Sequence, residues 1–469
     1  MKKIISILLL AAMLFTTFGC SGTVTDETQA VTEILTEENE PETALETETA
    51  SEPETAPETE SETSAESTRV LRKRDDYLYI GVYGISSYAR TEQHIKDLAD
   101  SGVDYVISGV SYKSRETLDL FEKYGVGAIA GGILPSGNSV KAYSEAAANF
   151  PDHPAIWGIY YVDEPSAASF SRIGTNVAAI KEARPEQYVY INLFPNYASS
   201  DALGVKSYQE YIEAYCQCVP TDNICFDFYP YSWAKRKTKD APNDGVALLY
   251  ENFRMVSEAC RETGRELWFV GQVNSSRPHT FISTNQIRFQ AYTGMAFGAV
   301  NIEWACYTAG WWYNHILDRN GEKTEQYDKM KTVNWEVHTI AEEYMKYRNV
   351  TTHFVGFTAD SPEMVYLSQK PVERLNADVF SEVRADNGAT LVIGQMVSRT
   401  DDGSYALMIS AADDPSDLET VSYNIVFRAD NCTTVRAIGG NGELPVTQLE
   451  DGSYSVPICS NAGVLLIAK

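Results

Sequence analysis

The chain has 469 residues and a formal net charge of −27 at pH 7, and 44% of its residues are hydrophobic. A chain of this length exceeds what one hydrophobic core usually serves, which predicts at least two domains. The acidic excess argues against nucleic acid, or an anionic membrane surface, as a partner.

Residues 1–20 have the pattern of an export signal. Lys2 and Lys3 precede the apolar run IISILLLAAMLF, which is too short to span a bilayer comfortably. The run ends at TTFGC, which resembles the lipobox of bacterial lipoproteins, where the Cys is lipidated and becomes the mature N-terminus. The resemblance implies a lipid on Cys20. An ordinary secretory signal is the alternative, and both interpretations predict export.

The next segment has the composition of a disordered tether. Residues 21–68 contain fifteen acidic residues and no Lys, Arg or aromatic residue. Such a segment cannot bury enough apolar surface to offset the entropy of ordering, so we predict a disordered linker over 21–74. Because its charges repel one another, the linker should be extended. The predicted location is the extracellular face of the bacterial cell membrane, with membrane contact only through the lipid.

Eight apolar runs alternate with stretches of helical periodicity in residues 75–349. The runs are YLYIGVYG (77–84), VDYVISG (103–109), VGAIAGG (126–132), IWGIYYV (156–162), YVYINLF (188–194), NICFDFY (223–229), LWFVGQV (267–273) and GAVNIEW (298–304). Eight strand–helix units in this length predict a closed (β/α)₈ TIM barrel. A doubly wound open sheet is the alternative, but GVYGISS is not the Gly-rich phosphate loop that such a sheet normally shows.

From residue 350 to 469 the pattern changes to short strands separated by turn signals such as TDDGS, GGNGE and EDGS. This pattern predicts a smaller all-β sandwich domain. Cys432 and Cys459 either pair within this domain or remain free thiols. The scattered cysteines and few histidines show no metal-binding spacing, so we expect neither a metal nor a cofactor.

In a TIM barrel the active site lies at the C-terminal ends of the strands. Polar and aromatic side chains follow those ends in this sequence, which explains why the buried run 156–162 ends in two carboxylates and a proline. They are Asp163 and Glu164 on strand four, Asn192 on strand five, Asp227 and Tyr229 on strand six, Gln272 and Asn274 on strand seven, and Glu303, Trp304 and Tyr307 on strand eight, followed by Trp311 and Trp312.

The stretch HPAIWGIYYVDEPS (153–166) resembles the fourth-strand motif of barrel glycoside hydrolases, in which an Asn-Glu-Pro or Asp-Glu-Pro triplet ends the strand. The stretches DFYPY and IRFQAYTGMAFGAVNIEWACY resemble later strands of the same superfamily. The resemblance implies that Glu164 is the general acid/base and that Asp163 contacts the sugar. In that superfamily the nucleophilic Glu ends strand seven, but this chain has GQVNSS there and no carboxylate.

Glycoside hydrolysis needs a second carboxylate, as nucleophile or as base for water. Our first choice is Glu303, with Asp227 as the close alternative. Each candidate also has a structural interpretation: Glu164 as a carboxylate favoured at a helix start, Glu303 as an ion pair with Arg288, and Asp227 as a helix-cap residue. The aromatic residues either stack on sugar faces or belong to the core.

These observations predict an exported glycosidase that cleaves an extracellular oligo- or polysaccharide. The substrate-binding residues expected are Asp163, Asn192, Tyr229, Gln272, Asn274, Trp304, Tyr307 and Trp311. A non-catalytic carbohydrate-binding lipoprotein on a degenerate barrel is the alternative, and a barrel hydrolase of another bond is a third hypothesis. The sequence leaves the oligomeric state undetermined.

Overall fold

A computed structural model describes residues 76–132, 139–233, 244–308, 310, 312–367, 370–416 and 419–469. The predicted signal peptide, Cys20, the linker over 21–74 and Trp311 lie outside these residues. The predicted domain limits therefore stay predictions, while the architecture of the described residues can be compared with the expected fold.

Eight parallel strands close into a barrel in chain order, with β1 paired to both β2 and β8. They are β1 (Tyr79–Tyr83), β2 (Tyr105–Ser111), β3 (Gly127–Gly131), β4 (Ile156–Asp163), β5 (Tyr188–Leu193), β6 (Asn223–Asp227), β7 (Glu266–Gln272) and β8 (Ala299–Ala305). Each strand coincides with one of the predicted runs. The predicted TIM barrel is confirmed.

Helices follow the barrel strands. They are α1 (Glu92–Asp100), α2 (Arg115–Tyr124), α3 (Val140–Ala148), α4 (Phe170–Ala183), α5 (Ser200–Leu203), α6 (Tyr208–Cys218), α7 (Pro230–Trp233), α8 (Asp244–Thr263), α9 (Thr284–Ala296) and α10 (Glu325–Tyr344). Local sequence sets their ends: Ser283 and Gln286 form a capping box at the start of α9, and Gly125 ends α2 at φ +67°. None of the helices in the described ranges combines the length and apolar character needed to cross a bilayer.

The barrel interior is filled from alternate strand positions, mostly by large aromatic side chains. The layer at the N-terminal end of the strands contains Tyr79, Tyr105, Ile129, Trp157, Tyr188 and Trp268. Gly81 leaves room for this packing, because a Cβ there would lie 2.7 Å from Cζ of Tyr105 and 3.0 Å from Cγ of Glu303.

After α10 the described chain forms antiparallel sheets, which confirms the all-β region. One sheet has the order β10-β11-β14-β18-β17 and the other β16-β15-β19-β13-β12-β9. The strands are β9 (Tyr347–Val355), β10 (Leu375–Ala377), β11 (Phe380–Ala385), β12 (Leu391–Ser398), β13 (Tyr405–Ala411), β14 (Ser422–Ala429), β15 (Val435–Gly439), β16 (Gly442–Leu444), β17 (Thr447–Gln448), β18 (Tyr454–Cys459) and β19 (Gly463–Ala468), with a short helix α11 (Pro362–Tyr366) after β9.

A separate apolar core lies between residues of the two sheets and includes Val383, Leu407, Ile425 and Leu466. Other side chains of the six-stranded sheet, among them Met408, join the barrel's own core. The C-terminal sheets thus pack against the barrel. Cys432 and Cys459 are both free thiols, so the alternative in which they pair is wrong.

Candidate active site

The end of β4 has an irregular backbone. The pairing of β4 with β5 shifts register between Tyr160 and Val162, which is the mark of a β-bulge. Because of this shift, Tyr160 and Asp163 both face the barrel interior although they are three positions apart. Glu164 then adopts φ +44°, its backbone N–H donates to the carbonyl of Asn192 at 2.9 Å, and Pro165 follows. Left-handed backbone at a residue other than glycine is uncommon and concentrates at functional sites.

Asn192 connects two carboxylates at the barrel mouth. Its Nδ2 donates to Oδ1 of Asp163 at 3.0 Å and to Oδ1 of Asp227 at 3.2 Å. The three residues lie at the ends of the adjacent strands β4, β5 and β6. Asn192 and Asp227 are buried, whereas Asp163 keeps exposed surface. One side-chain amide therefore fixes the spacing of two acids, one of which reaches solvent at the mouth.

The surroundings of the carboxyl groups at the mouth favour their protonated forms. Burial, with the charges of Asp227 and Asp163, raises the pKa of Glu164 to about 9. Burial and the charge of Asp163 raise the pKa of Asp227 to about 7, against hydrogen bonds from Asn192 and Tyr229 that lower it. Near pH 7, Glu164 thus holds a proton while Asp227 is divided between its two forms.

Asp163 accepts hydrogen bonds from Asn192 and Tyr83. Although one side faces the open mouth, the barrel wall removes enough water to raise its pKa, and bonds from Asn192 and Tyr83 oppose that shift. The Tyr83 hydroxyl lies 3.4 Å from Oδ2 of Asp163 and 2.7 Å from the hydroxyl of Tyr160. Neither tyrosine was among the site residues expected from the sequence, although the inward position of Tyr83 at the end of β1 was a signal for it.

Aromatic side chains border the carboxylates. Tyr160 stacks on Tyr190 with ring centroids 5.9 Å apart, and Tyr229 meets Trp312 edge to face at 5.1 Å. Tyr229, predicted to bind substrate, donates a hydrogen bond to Asp227. Tyr190 is fully buried, whereas Tyr160 and Trp312 keep exposed surface and can contact the apolar face of a sugar.

Two of the residues predicted to stack on sugar, Trp304 and Tyr307, are buried in the structure, so that prediction is wrong for them. Trp304 and Tyr307 both have 0% exposed surface. Because Glu303 faces the barrel interior, its neighbour Trp304 faces outward, where Nε1 donates to Oδ1 of Asn334 at 2.8 Å. Tyr307 lies in the barrel core. Neither side chain can stack on a substrate in this structure.

Gln272 and Asn274 are also fully buried. The Gln272 amide accepts from the backbone N–H of Tyr231 at 3.1 Å and donates to Oγ of Ser232 at 2.6 Å and to the carbonyl of Asn274 at 2.9 Å. These bonds brace the loops after β6 and β7, so the prediction that both residues bind substrate is corrected to a structural role. Gln272 ends β7, so a non-ionising amide stands where the superfamily resemblance implies a nucleophile.

Glu303 lies inside the barrel and has 0% exposed surface. It accepts hydrogen bonds from the hydroxyls of Tyr105 at 2.5 Å and Tyr190 at 2.6 Å, and burial raises its pKa to about 7. The alternative ion pair with Arg288 is wrong, because Arg288 pairs with Glu336 on α10. Glu303 is therefore a buried carboxyl that connects strands across the barrel.

A cavity of about 320 Å³ opens beside the carboxylates at the ends of β1, β2 and β8. The residues that line it are Tyr83, Gly84, Ile85, Ser86, Arg90, Ser108, Gly109, Cys306, Thr308 and Gly310. Small-molecule sites start at about this volume. Tyr83 belongs both to its wall and to the hydrogen bonds of Asp163, so the cavity and the acids adjoin.

Among the described residues, one group of potential metal ligands is found, Asp119, Glu122 and His153, which lies around α2 and away from the mouth. Asp119 is already paired there with Arg115 and His153. The acids at the mouth do not form such a group.

No protein-family model and no curated protein matches the chain. Similar solved structures include a glycoside hydrolase family 5 protein from Bacteroides vulgatus ATCC 8482, at 9% identity and a TM-score of 0.49, over 84% of this chain and 89% of that one. An endo-beta-1,4-mannanase from Thermotoga petrophila is similar at 11% identity and a TM-score of 0.40, over 82% and 91%. These neighbours are glycoside hydrolases, but likenesses this remote carry no argument about function, which must come from the site.

Proposed function

We propose that this chain hydrolyses glycosidic bonds of an oligo- or polysaccharide outside the cell. What supports it is the presence, at the mouth of the barrel, of two carboxyl groups whose surroundings separate their pKa values, to about 9 for Glu164 and about 7 for Asp227. Glycoside hydrolysis needs one carboxylic acid and one carboxylate on either side of the cleaved bond.

In this mechanism Glu164 gives its proton to the leaving oxygen as the bond to the anomeric carbon breaks. Ionised Asp227 either attacks that carbon or takes a proton from the water that does so. In the first route, water that gives a proton to the Glu164 carboxylate then cleaves the glycosyl ester on Asp227, which frees Asp227 and retains the anomeric configuration; the second route inverts it. Asp163 holds the sugar hydroxyls. Asn192, predicted from the sequence to bind substrate, is buried with both N–H groups donated to the two acids, so its role is to keep Asp227 at a fixed distance from Asp163.

Asp227 is a better partner than Glu303, our first choice from sequence. Two tyrosine hydroxyls hold the Glu303 carboxylate inside the barrel, with no exposed surface. Asp227 lies at the strand end, and its charge acts directly on Glu164. A catalytic carboxylate must reach the anomeric carbon, and this location favours Asp227.

A non-catalytic carbohydrate-binding protein is the second candidate, and Gln272 is the observation that favours it. An amide at the end of β7 cannot serve as a nucleophile, so a barrel that depended on that position would bind sugar without cleaving it. The two candidates predict different results with substrate: turnover in one case and binding alone in the other.

Turnover of a panel of aryl glycosides and polysaccharides tests the proposal. The wild-type chain should hydrolyse at least one of them, and Glu164→Gln should reduce kcat by about 10²–10⁴-fold. Glu186→Gln is the matched control, since Glu186 is exposed just before β5, at the opposite end of the barrel. Proton NMR of the first product gives the anomeric outcome. Binding of a panel glycan with no turnover would instead favour the carbohydrate-binding candidate.

The proposed location rests on the N-terminal sequence, whose apolar run ends at Gly19-Cys20. We propose that a lipid on Cys20 anchors the chain and that the acidic linker holds it away from the membrane. Cys20→Ala should remove lipid labelling and release the protein into the medium. Unchanged lipid labelling and membrane retention would contradict the anchor.

A further inference from the structure

The guanidinium of Arg90 has no acidic partner among the described residues. Arg90 follows the 3-10 turn Ser87–Ala89, and its Nη2 donates to the backbone carbonyls of Ile85 and Gly109. Its Nε is shielded from solvent and has no hydrogen-bond acceptor in the described part of the chain. A half-buried positive charge held only by carbonyl dipoles has unused capacity to bind an anion.

Arg90 is one of the residues that line the 320 Å³ cavity, so its charge can act on a molecule bound there. Hydroxyl groups line the same cavity: Oγ of Ser86 lies 3.0 Å from Oγ1 of Thr308, and the side-chain hydroxyl of Ser108 makes no hydrogen bond to another described residue. The cavity wall thus combines a cation with several hydroxyl groups. This combination suits a sugar that carries a negative charge.

The position of the cavity also sets the direction of a bound sugar. Its wall includes Tyr83, which reaches Asp163 at the edge of the acidic cluster. An anionic group placed among Asp163, Glu164 and Asp227 would be repelled by whichever of them is ionised, whereas Arg90 attracts it. The charged end of a substrate should therefore bind at Arg90, which directs the bond to be cleaved toward Glu164.

We propose that this cavity is a subsite for an anionic sugar, in which a carboxylate or a sulfate ester pairs with Arg90. The proposal rests on the proposed glycosidase function for its place in a substrate, but the binding of the anion does not require turnover. A neutral sugar would leave the guanidinium unpaired, so the subsite discriminates by charge.

Calorimetric titration of the full chain tests charge recognition directly. D-Glucuronate, D-galacturonate and D-glucose 6-sulfate are compared with D-glucose and D-galactose, at constant ionic strength set with sodium chloride. At least one anionic sugar should bind about tenfold or more tightly than its neutral counterpart, as expected for a charge-assisted hydrogen bond. The uronates and the sulfate separate the two kinds of anion. Equal affinity for charged and neutral sugars overturns the proposal.

Variants at Ser108 test the location without touching Arg90. Ser108 has φ +63°, a conformation that Asp and Asn tolerate well. Ser108→Asp places a carboxylate in the cavity and should abolish the preference for the anion, whereas the isosteric neutral control Ser108→Asn should keep it. Retention of the full preference by Ser108→Asp would show that the anion binds elsewhere and overturn the proposal.

Arg90→Gln should also lose the preference, compared with Arg348→Gln, a matched change of an exposed arginine on β9. Because Arg90 supports two backbone carbonyls, the Ser108 pair decides the question if Arg90→Gln unfolds. Hydrolysis of a neutral glycoside with no anion preference would refute the subsite and leave the glycosidase intact. Anion binding that Ser108→Asp abolishes, without hydrolysis of any glycoside, would support the subsite and refute the glycosidase.

Discussion

The side-chain amide of Asn192 donates to Oδ1 of Asp227 at 3.2 Å, and the same nitrogen donates to Oδ1 of Asp163 at 3.0 Å. This nitrogen thus donates one hydrogen to each of two acids on the neighbouring strands. These bonds stabilise the ionised forms of both carboxylates, in opposition to the burial that raises their pKa values. Asn192 therefore sets how much of Asp227 is ionised at neutral pH.

Loss of this amide should change the pH profile. In Asn192→Ala the bond that lowers the pKa of Asp227 is gone, so that pKa should rise above about 7. The ascending limb of kcat/KM, which requires ionised Asp227, should move to higher pH. Asn176→Ala is the control, since it also removes a buried amide bond, to the Tyr161 hydroxyl at 3.0 Å, but outside the barrel interior. If the ascending limb of the kcat/KM profile of Asn192→Ala stays in place or moves to lower pH, the role assigned to Asn192 is contradicted.

Glu164→Gln should show a strong dependence on the leaving group. A poor leaving group needs protonation, so its cleavage should slow by about 10²–10⁴-fold. A dinitrophenyl leaving group barely needs a proton, so the first turnover of such a glycoside should slow much less. Single-turnover kinetics on both substrates measure the difference, with Glu186→Gln as the control. Equal losses on both substrates would show that Glu164 is not the acid.

Asp227→Asn and Glu303→Gln should have different consequences. Asp227→Asn removes the proposed nucleophile or base and should lower kcat by about 10²-fold or more with little change in stability. Glu303→Gln alters a buried acceptor of two tyrosine bonds, so it should lower the free energy of unfolding by about 1–3 kcal/mol and kcat by less than about tenfold. Urea unfolding and kcat on one substrate measure both effects. The reverse pattern would return the catalytic role to Glu303.

Gly81→Ala should destabilise the barrel. The new Cβ would lie 2.7 Å from Cζ of Tyr105 and 3.0 Å from Cγ of Glu303, and overpacking of this kind costs about 1–3 kcal/mol. Gly131→Ala on β3 is the matched control, because the nearest atom to its Cβ is the carbonyl oxygen of Val110 at 4.0 Å. Urea unfolding should separate the two variants clearly. Similar stabilities would mean that the interior packing around Tyr105 adapts easily.

Much of the barrel could be predicted from the chain because its determinants are local. Apolar runs of strand length, helical periodicity between them and Gly or Ser at helix ends are all properties of neighbouring residues. The position of Asp163 and Glu164 at the end of the fourth run also follows, since parallel barrel strands bring their C-terminal ends to one face. The same reasoning placed Asn192 and Asp227 beside them.

The sequence by itself determined the fold and the strand ends at which acids collect, but only the tertiary structure decided which side chains meet. The bulge in β4 turns both Tyr160 and Asp163 inward, which a regular two-residue alternation does not predict. Arg288 pairs with Glu336 on α10 instead of Glu303, and Trp304 turns to Asn334, because both partners come from distant segments. The pKa values of Glu164 and Asp227 likewise depend on burial and on charges across strands, since electrostatic interactions follow distance in space and not separation along the chain.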